Sequence, residues 1–82
     1  MTREEVKARV YAKMTEEQKD YVETILVNSE RTYKKGTAYN DQNLIQTALR
    51  REAKVIGFMQ ALKMVGVITE KDLMDFYYSN EL

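Results

Sequence analysis

Four polar residues suited to the start of a helix divide this chain into four segments. Thr2, Thr15 and Thr69 are each followed three residues later by an acidic or amide side chain. At this capping-box spacing, two side chains satisfy each other's free backbone N–H groups at the first turn of a helix. Asn40 precedes another apolar helical pattern, so we expect it to cap a helix as well.

Two glycines indicate where helices end. Gly36 and Gly66 each follow a helical pattern, in the place where a helix commonly ends with a left-handed residue. The chain has no proline, so no residue forces a break inside a helix. The start and end signals together predict helices at about residues 3–13, 16–35, 41–65 and 70–80.

The apolar residues recur at helical spacing, and no segment alternates as a strand would. We expect the buried stripe of the second helix to contain Val22, Ile25, Leu26, Ser29 and Tyr33. That of the third should contain Ile45, Ala48, Leu49, Glu52, Ile56 and Met59. The short connection between these helices predicts an antiparallel hairpin, with the first and fourth helices packed across it. The predicted fold is all-α: a four-helix antiparallel bundle built on a long central hairpin, with residues 1–82 as one domain.

One part of the third predicted helix, AKVIGFMQALKMV at residues 53–65, is apolar on nearly every side. Such a helix is normally buried on most sides. Within it Ala53, Gly57 and Ala61 step by four, and a row of small residues permits close approach of another helix. That helix is either the first or fourth helix of the same chain, or part of a second copy.

The chain has six tyrosines and no tryptophan, and six tyrosines is a high count for 82 residues. Tyr77 and Tyr78 are adjacent, so they cannot point the same way on a helix, and one of them should face outward or toward a partner. Exposed tyrosine is favoured at interfaces because it supplies contact area at low entropic cost. The alternative is that tyrosines line the bundle edge with solvated hydroxyls. The candidate interaction face is therefore Ala53, Gly57, Ala61, Tyr77 and Tyr78.

The charges balance overall, 13 basic against 13 acidic residues, but they are unevenly spread. Residues 31–54 contain six basic and two acidic residues, a net charge of +4. Their basic residues, the candidates for contact with nucleic acid phosphates, are Arg31, Lys34, Lys35, Arg50, Arg51 and Lys54. Tyr33 or Tyr39 could stack on bases. The alternative is an ordinary solvated surface.

The last predicted helix is acidic. Residues 69–82 contain one basic and four acidic residues, a net charge of −3, which disfavours a helix-turn-helix reader of DNA because phosphates would repel it. An acidic helix could instead fit the basic groove of a larger protein, which gives a small inhibitor as a further hypothesis. The acidic residues concerned are Glu70, Asp72, Asp75 and Glu81.

Missing residue types exclude most chemistry. The chain has no cysteine and no histidine, and so lacks a thiolate nucleophile, the usual general base and the commonest metal ligands. We therefore predict no enzyme activity, no cofactor and no metal. Charged residues at the amino terminus and the lack of a long apolar run predict no signal peptide, no membrane span and a cytoplasmic location.

The segment ALKMVGVITEKDL, residues 61–73, resembles the joint of short C-terminal helical domains of the SHOCT type. The resemblance covers about residues 57–78 and implies oligomerisation. It departs from that family where tyrosines replace the usual basic end. Size and general style also resemble small accessory proteins of Gram-positive phages and conjugative elements. The leading hypothesis is a non-enzymatic interaction module that self-associates or binds another protein, and a nucleic-acid-binding accessory protein is the alternative.

Overall fold

Four helices connected by short segments make up the described part of the chain. The structure, a computed structural model, describes the backbone of residues 2–80 and the side chains of residues 2–79. The helices are α1 (Arg3–Tyr11), α2 (Glu16–Ala38), α3 (Gln42–Met64) and α4 (Glu70–Asn80). Helices α2 and α3 form the long hairpin, while α4 packs on both α1 and α3. The predicted all-α bundle built on a central hairpin is confirmed.

The three threonines begin helices as predicted. Thr15 and Gln18 form a complete capping box, and Thr2 accepts a hydrogen bond from the Glu5 N–H at 3.2 Å. Thr69 and Asp72 bond reciprocally at 3.0 and 3.1 Å, which fixes the first turn of α4. Local side-chain chemistry therefore sets these starts.

The start of α3 differs from the prediction by one residue. Asp41, rather than Asn40, is the N-cap, and its carboxylate accepts from the N–H groups of Asn43 and Leu44. Asn40 has a φ of 52° and so provides the left-handed turn between the two long helices. Asparagine tolerates that conformation better than most residues. The turn thus contains the left-handed residue that we expected at Gly36.

Gly36 lies inside α2, which runs on to Ala38, so the predicted helix end there is wrong. The residue is buried against α3, and a Cβ on it would lie 2.8 Å from Cγ1 and 3.0 Å from the backbone N of Ile45. Glycine is required here for close helix packing rather than for a turn. Gly66, by contrast, has a φ of 83° and ends α3 as predicted, with the Val67 N–H donating to the Leu62 carbonyl at 2.9 Å.

The hydrophobic core lies at one end of the hairpin, where all four helices meet. It consists of Val6, Val10, Val22, Val55, Met59, Leu62, Ile68, Leu73 and Phe76. On α3 the buried side differs from the predicted stripe, because Val55 and Leu62 are buried while Leu49 and Glu52 are exposed. On α2, Tyr33 is exposed rather than buried. We call this end of the molecule the core end.

The rest of the hairpin, residues 27–54, projects from the core end and contributes no residue to the core among those described. We call it the arm. Its buried residues are small, Ser29, Gly36 and Ala48, so its two helices approach closely but bury little apolar surface. The described chain is accordingly elongated, with extents of 40 × 24 × 20 Å.

Candidate functional site: an apolar groove and a basic cleft

The acidic side chains of α4 are used mainly inside the fold. The Asp72 carboxylate is nearly buried, and it lies 2.6 Å from Lys13 Nζ and 3.2 Å from Arg9 Nε. Asp75 lies 2.8 Å from Arg9 Nη2, and Glu70 lies 2.7 Å from Lys63 Nζ. These ion pairs tie α4 to α1 and α3.

The environment of Asp72 favours its ionised form. Burial alone would raise the pKa of this carboxyl, but hydrogen bonds from Lys13 and Thr69 outweigh burial and lower the pKa to about 2. The hydrogen bond from Arg9 likewise lowers the pKa of Asp75. Three of the four acids behind the inhibitor hypothesis are in ion pairs, but of these only Asp72 is buried, and the Glu70 side chain stays 64% exposed. The fourth, Glu81, lies outside the described residues. The inhibitor hypothesis therefore stays a prediction.

An open groove of about 580 Å³ lies along α3, where residues of α2 and α4 border it. We call it the α3 groove, and it is lined by Leu26, Leu49, Glu52, Ala53, Val55, Ile56, Gly57, Gln60 and Tyr77. Among these described lining residues, Glu52 has the one charged side chain. Leu49 is 45% exposed and Tyr77 40% exposed at its sides. An uncovered apolar surface on this side of α3 is unexpected for a segment whose composition predicts burial.

The structure brings together three of the five predicted interaction residues. Ala53, Gly57 and Tyr77 line the α3 groove, whereas Ala61 and Tyr78 are exposed outside it. Around Gly57, no described atom beyond its own helix backbone and chain neighbours lies within 4 Å of an added Cβ. The interpretation that α1 or α4 crosses at this row of small residues is therefore wrong. The Tyr77 and Tyr78 rings pack edge to face, with centroids 5.5 Å apart.

Three groove residues were assigned to the core by periodicity: Leu26, Leu49 and Ile56. Their helical spacing is genuine, but it places them at the edge of the buried face rather than in its centre. The signal that could have found them is the all-round apolar content of residues 53–65, since a short chain cannot cover every side of such a helix.

A second open cavity, of about 650 Å³, lies on the arm. We call it the basic cleft, and it is lined by Asn28, Arg31, Thr32, Lys34, Lys35, Ala38, Tyr39 and Arg51. Four of the six predicted nucleic-acid residues are thus in one place, and only Arg50 and Lys54 lie outside it. The hairpin carries Arg51 across to the α2 cations, and its Nη1 donates to the Thr32 hydroxyl at 2.9 Å.

The described cations of the arm differ from Arg9 and Lys13 at the core end, which have carboxylate partners. Within residues 2–79, none of Arg31, Lys34, Lys35, Arg50, Arg51 and Lys54 is in an ion pair. Tyr39, on the rim of the basic cleft, is 74% exposed, while Tyr33 is exposed elsewhere on the arm. The basic cleft therefore presents uncompensated positive charge beside an accessible aromatic ring.

Three further observations bear on other classes of function. In the described part of the chain, no group of three or more acidic residues is placed to hold a metal ion. No described helix combines the length and apolar content needed to cross a bilayer. Comparisons with protein-family models, curated proteins and solved structures find no match to this chain. The resemblance of residues 57–78 to SHOCT domains therefore stays a prediction.

Proposed function

We propose that this protein is a non-enzymatic interaction module that self-associates through the α3 groove. The supporting observation is the open apolar groove around Gly57, on a helix segment that is apolar on nearly every side. Exposed apolar patches of this kind are typical of interaction sites, because covering them removes apolar surface from water. The SHOCT-like joint, with its link to oligomerisation, agrees with this proposal.

The shape of the groove suits a second helix. Ala53 and Gly57 lie in it one turn apart, so the backbone of α3 is accessible to a partner helix at short distance. Leu49 and Ile56 flank these small residues and offer larger apolar contacts. A partner helix from a second copy would supply the same combination of small and large residues, as two-fold symmetric interfaces require.

Electrostatics also favour a second copy as the partner. The chain has a formal net charge of zero, so two copies approach without overall repulsion. Glu52 lies at the groove with no described ion-pair partner, and a basic residue of the second copy could meet it. A cytoplasmic location and an accessory role in a phage or mobile element belong to the same proposal.

The proposal is tested by light scattering over a range of protein concentrations. We expect the measured mass to rise from the 9.6 kDa of one chain toward twice that value or more. Ala53→Glu places a charge in the groove and should keep the protein at the mass of one chain. Since Ala53 is exposed in the described structure, circular dichroism should show unchanged helix content.

The matched control is Ala8→Glu. Ala8 is an exposed helical alanine on α1, outside the groove, so this variant makes the same chemical change elsewhere. It should associate as the wild type does. A wild-type protein that stays at one chain mass at every concentration would overturn the proposal, as would equal association of the Ala53→Glu and Ala8→Glu variants.

A further inference from the structure

We propose that the basic cleft of the arm binds single-stranded nucleic acid, with its cations on the phosphates and Tyr39 stacked on a base. This site is separate from the α3 groove, and the inference does not depend on self-association. It rests on the four cations that share one cavity, on their lack of carboxylate partners within residues 2–79 and on the exposed ring at the rim.

The cations are placed by the secondary structure. Arg31, Lys34 and Lys35 are three and four residues apart on α2, so they lie on one side of the helix. Arg51 reaches the same cavity from α3, and its hydrogen bond to Thr32 orients the guanidinium. Charges of one sign around a concave surface reinforce each other's potential and raise the local concentration of anions.

The unfavourable side of this arrangement also points to a ligand. Arg31 and Lys35 are like charges four residues apart, a spacing at which their repulsion destabilises a helix. No described acid lines the cleft to offset the repulsion. At the core end, in contrast, Lys13 and Arg9 have carboxylate partners within 3.2 Å. A bound polyanion would supply the missing negative charge.

Tyr39 favours a single-stranded nucleic acid over an acidic peptide as the ligand of the basic cleft. An acidic peptide needs only the cations, whereas proteins that hold single strands combine a basic groove with aromatic rings on which bases stack. The ring of Tyr39 is 74% exposed and lines the cleft together with Lys35 and Ala38. In a duplex the bases are already stacked on one another, so this ring would have no base face to meet.

The experiment measures fluorescence anisotropy of a labelled oligothymidine strand on addition of the protein, at several salt concentrations. With four phosphate contacts, the logarithm of the affinity should fall with the logarithm of salt with a slope of about −3. Lys34→Gln should reduce the magnitude of that slope by about 0.7 and weaken binding. Lys54→Gln is the matched control, because it removes the same charge from the arm outside the cleft.

A second pair of variants tests stacking. Tyr39→Leu should weaken binding of the strand about tenfold, a loss within the range for one stacked base. Tyr33→Leu, at an exposed tyrosine of the arm outside the cleft, should bind as the wild type does. All four variants change exposed side chains, and circular dichroism should show that helix content is retained.

Three results would overturn the inference. The first is the absence of strand binding at low salt. The second is an equal loss in the Lys34→Gln and Lys54→Gln variants, which would indicate general attraction rather than a site. The third is polyglutamate binding that matches strand binding and is unaffected by Tyr39→Leu, which would make the cleft a site for acidic protein segments.

Discussion

The two ends of this molecule use the same kinds of residue in opposite ways. At the core end, Arg9 of α1 and Lys13 just after it are paired with acidic residues of α4, and large apolar side chains fill the space between four helices. In the arm, two helices touch through small residues, and the basic side chains have no carboxylate partner among those described. Charge therefore stabilises the fold at one end and is left available for a ligand at the other.

The same contrast applies to apolar surface. Helix α3 passes through both ends, and its inner side is buried at Ala48, Val55, Met59 and Leu62. Beside this buried side the helix keeps an open groove at Ala53, Ile56 and Gly57, which Leu26 of α2 and Tyr77 of α4 border but do not cover. A chain of this length buries about 60–65% of its unfolded surface, so an uncovered side on a helix apolar all round is a plain consequence of size.

The largest expected loss of stability comes from removing the shared carboxylate of Asp72, which tests the charge pairing at the core end. Asp72→Asn leaves Lys13 and Arg9 without the carboxylate they share, and should lower the free energy of unfolding by about 3 kcal/mol. That is the low end for a buried pair, because both basic partners are partly exposed. Urea denaturation at neutral pH measures it. Glu70→Gln breaks an exposed pair and should cost less than about 1 kcal/mol.

The pH dependence of stability sharpens this test. The pKa of Asp72 is about 2 in the folded chain, below the value of about 4 in the unfolded chain. The carboxylate's contribution is therefore complete above pH about 4 and is lost as the pH falls toward about 2. Asp75 acts in the same direction. In the Asp72→Asn variant, the free energy of unfolding should fall less steeply between pH about 4 and about 2 than in the wild type. An unchanged pH profile would show that the pairing at the core end is not what stabilises α4.

The next largest change in stability is expected for Gly36→Ala, which tests the close packing of the arm. In an open helix, Gly36→Ala would stabilise by about 1 kcal/mol. Here the added Cβ would lie 3.0 Å from the backbone N of Ile45, so α3 must shift. We expect a net loss of about 1–2 kcal/mol in urea denaturation, the usual size for overpacking. Because the basic cleft spans both helices, the variant should also weaken oligothymidine binding. A gain in stability would mean that the arm is loosely packed.

Much of the fold follows from interactions between residues close together in sequence. The boxes at Thr15 and Thr69 and the left-handed Gly66 are local, and the sequence pattern predicts all three. The role of Gly36 could not be predicted, because it depends on how near Ile45 comes from the next helix. Because Gly36 packs inside the helix and does not end it, α2 gains three residues beyond the predicted end at 35, and the left-handed residue is then Asn40.

The candidate sites were predictable in composition but not in arrangement. Net charge along the chain identifies the basic segment, yet only the hairpin register shows that Arg51 joins Lys34 and Lys35 while Arg50 does not. On α3, helical spacing fits more than one buried face, because residues 53–65 are apolar almost throughout. Which face is covered depends on where α2 and α4 pack, and that is a long-range property.

The smallest expected change in stability comes from Gly57→Ala, the same substitution as at Gly36 but at the other glycine inside a helix. At Gly57 an added Cβ meets no described atom within 4 Å beyond its own helix backbone and chain neighbours, so Gly57→Ala should raise the free energy of unfolding by about 0.5–1 kcal/mol. Urea denaturation at low protein concentration isolates this monomer effect. If a second copy approaches α3 closely there, the same methyl group should weaken association in light scattering. A destabilised monomer would mean that this side of α3 is covered within the chain, and the contrast between the buried and open sides of the helix would fail.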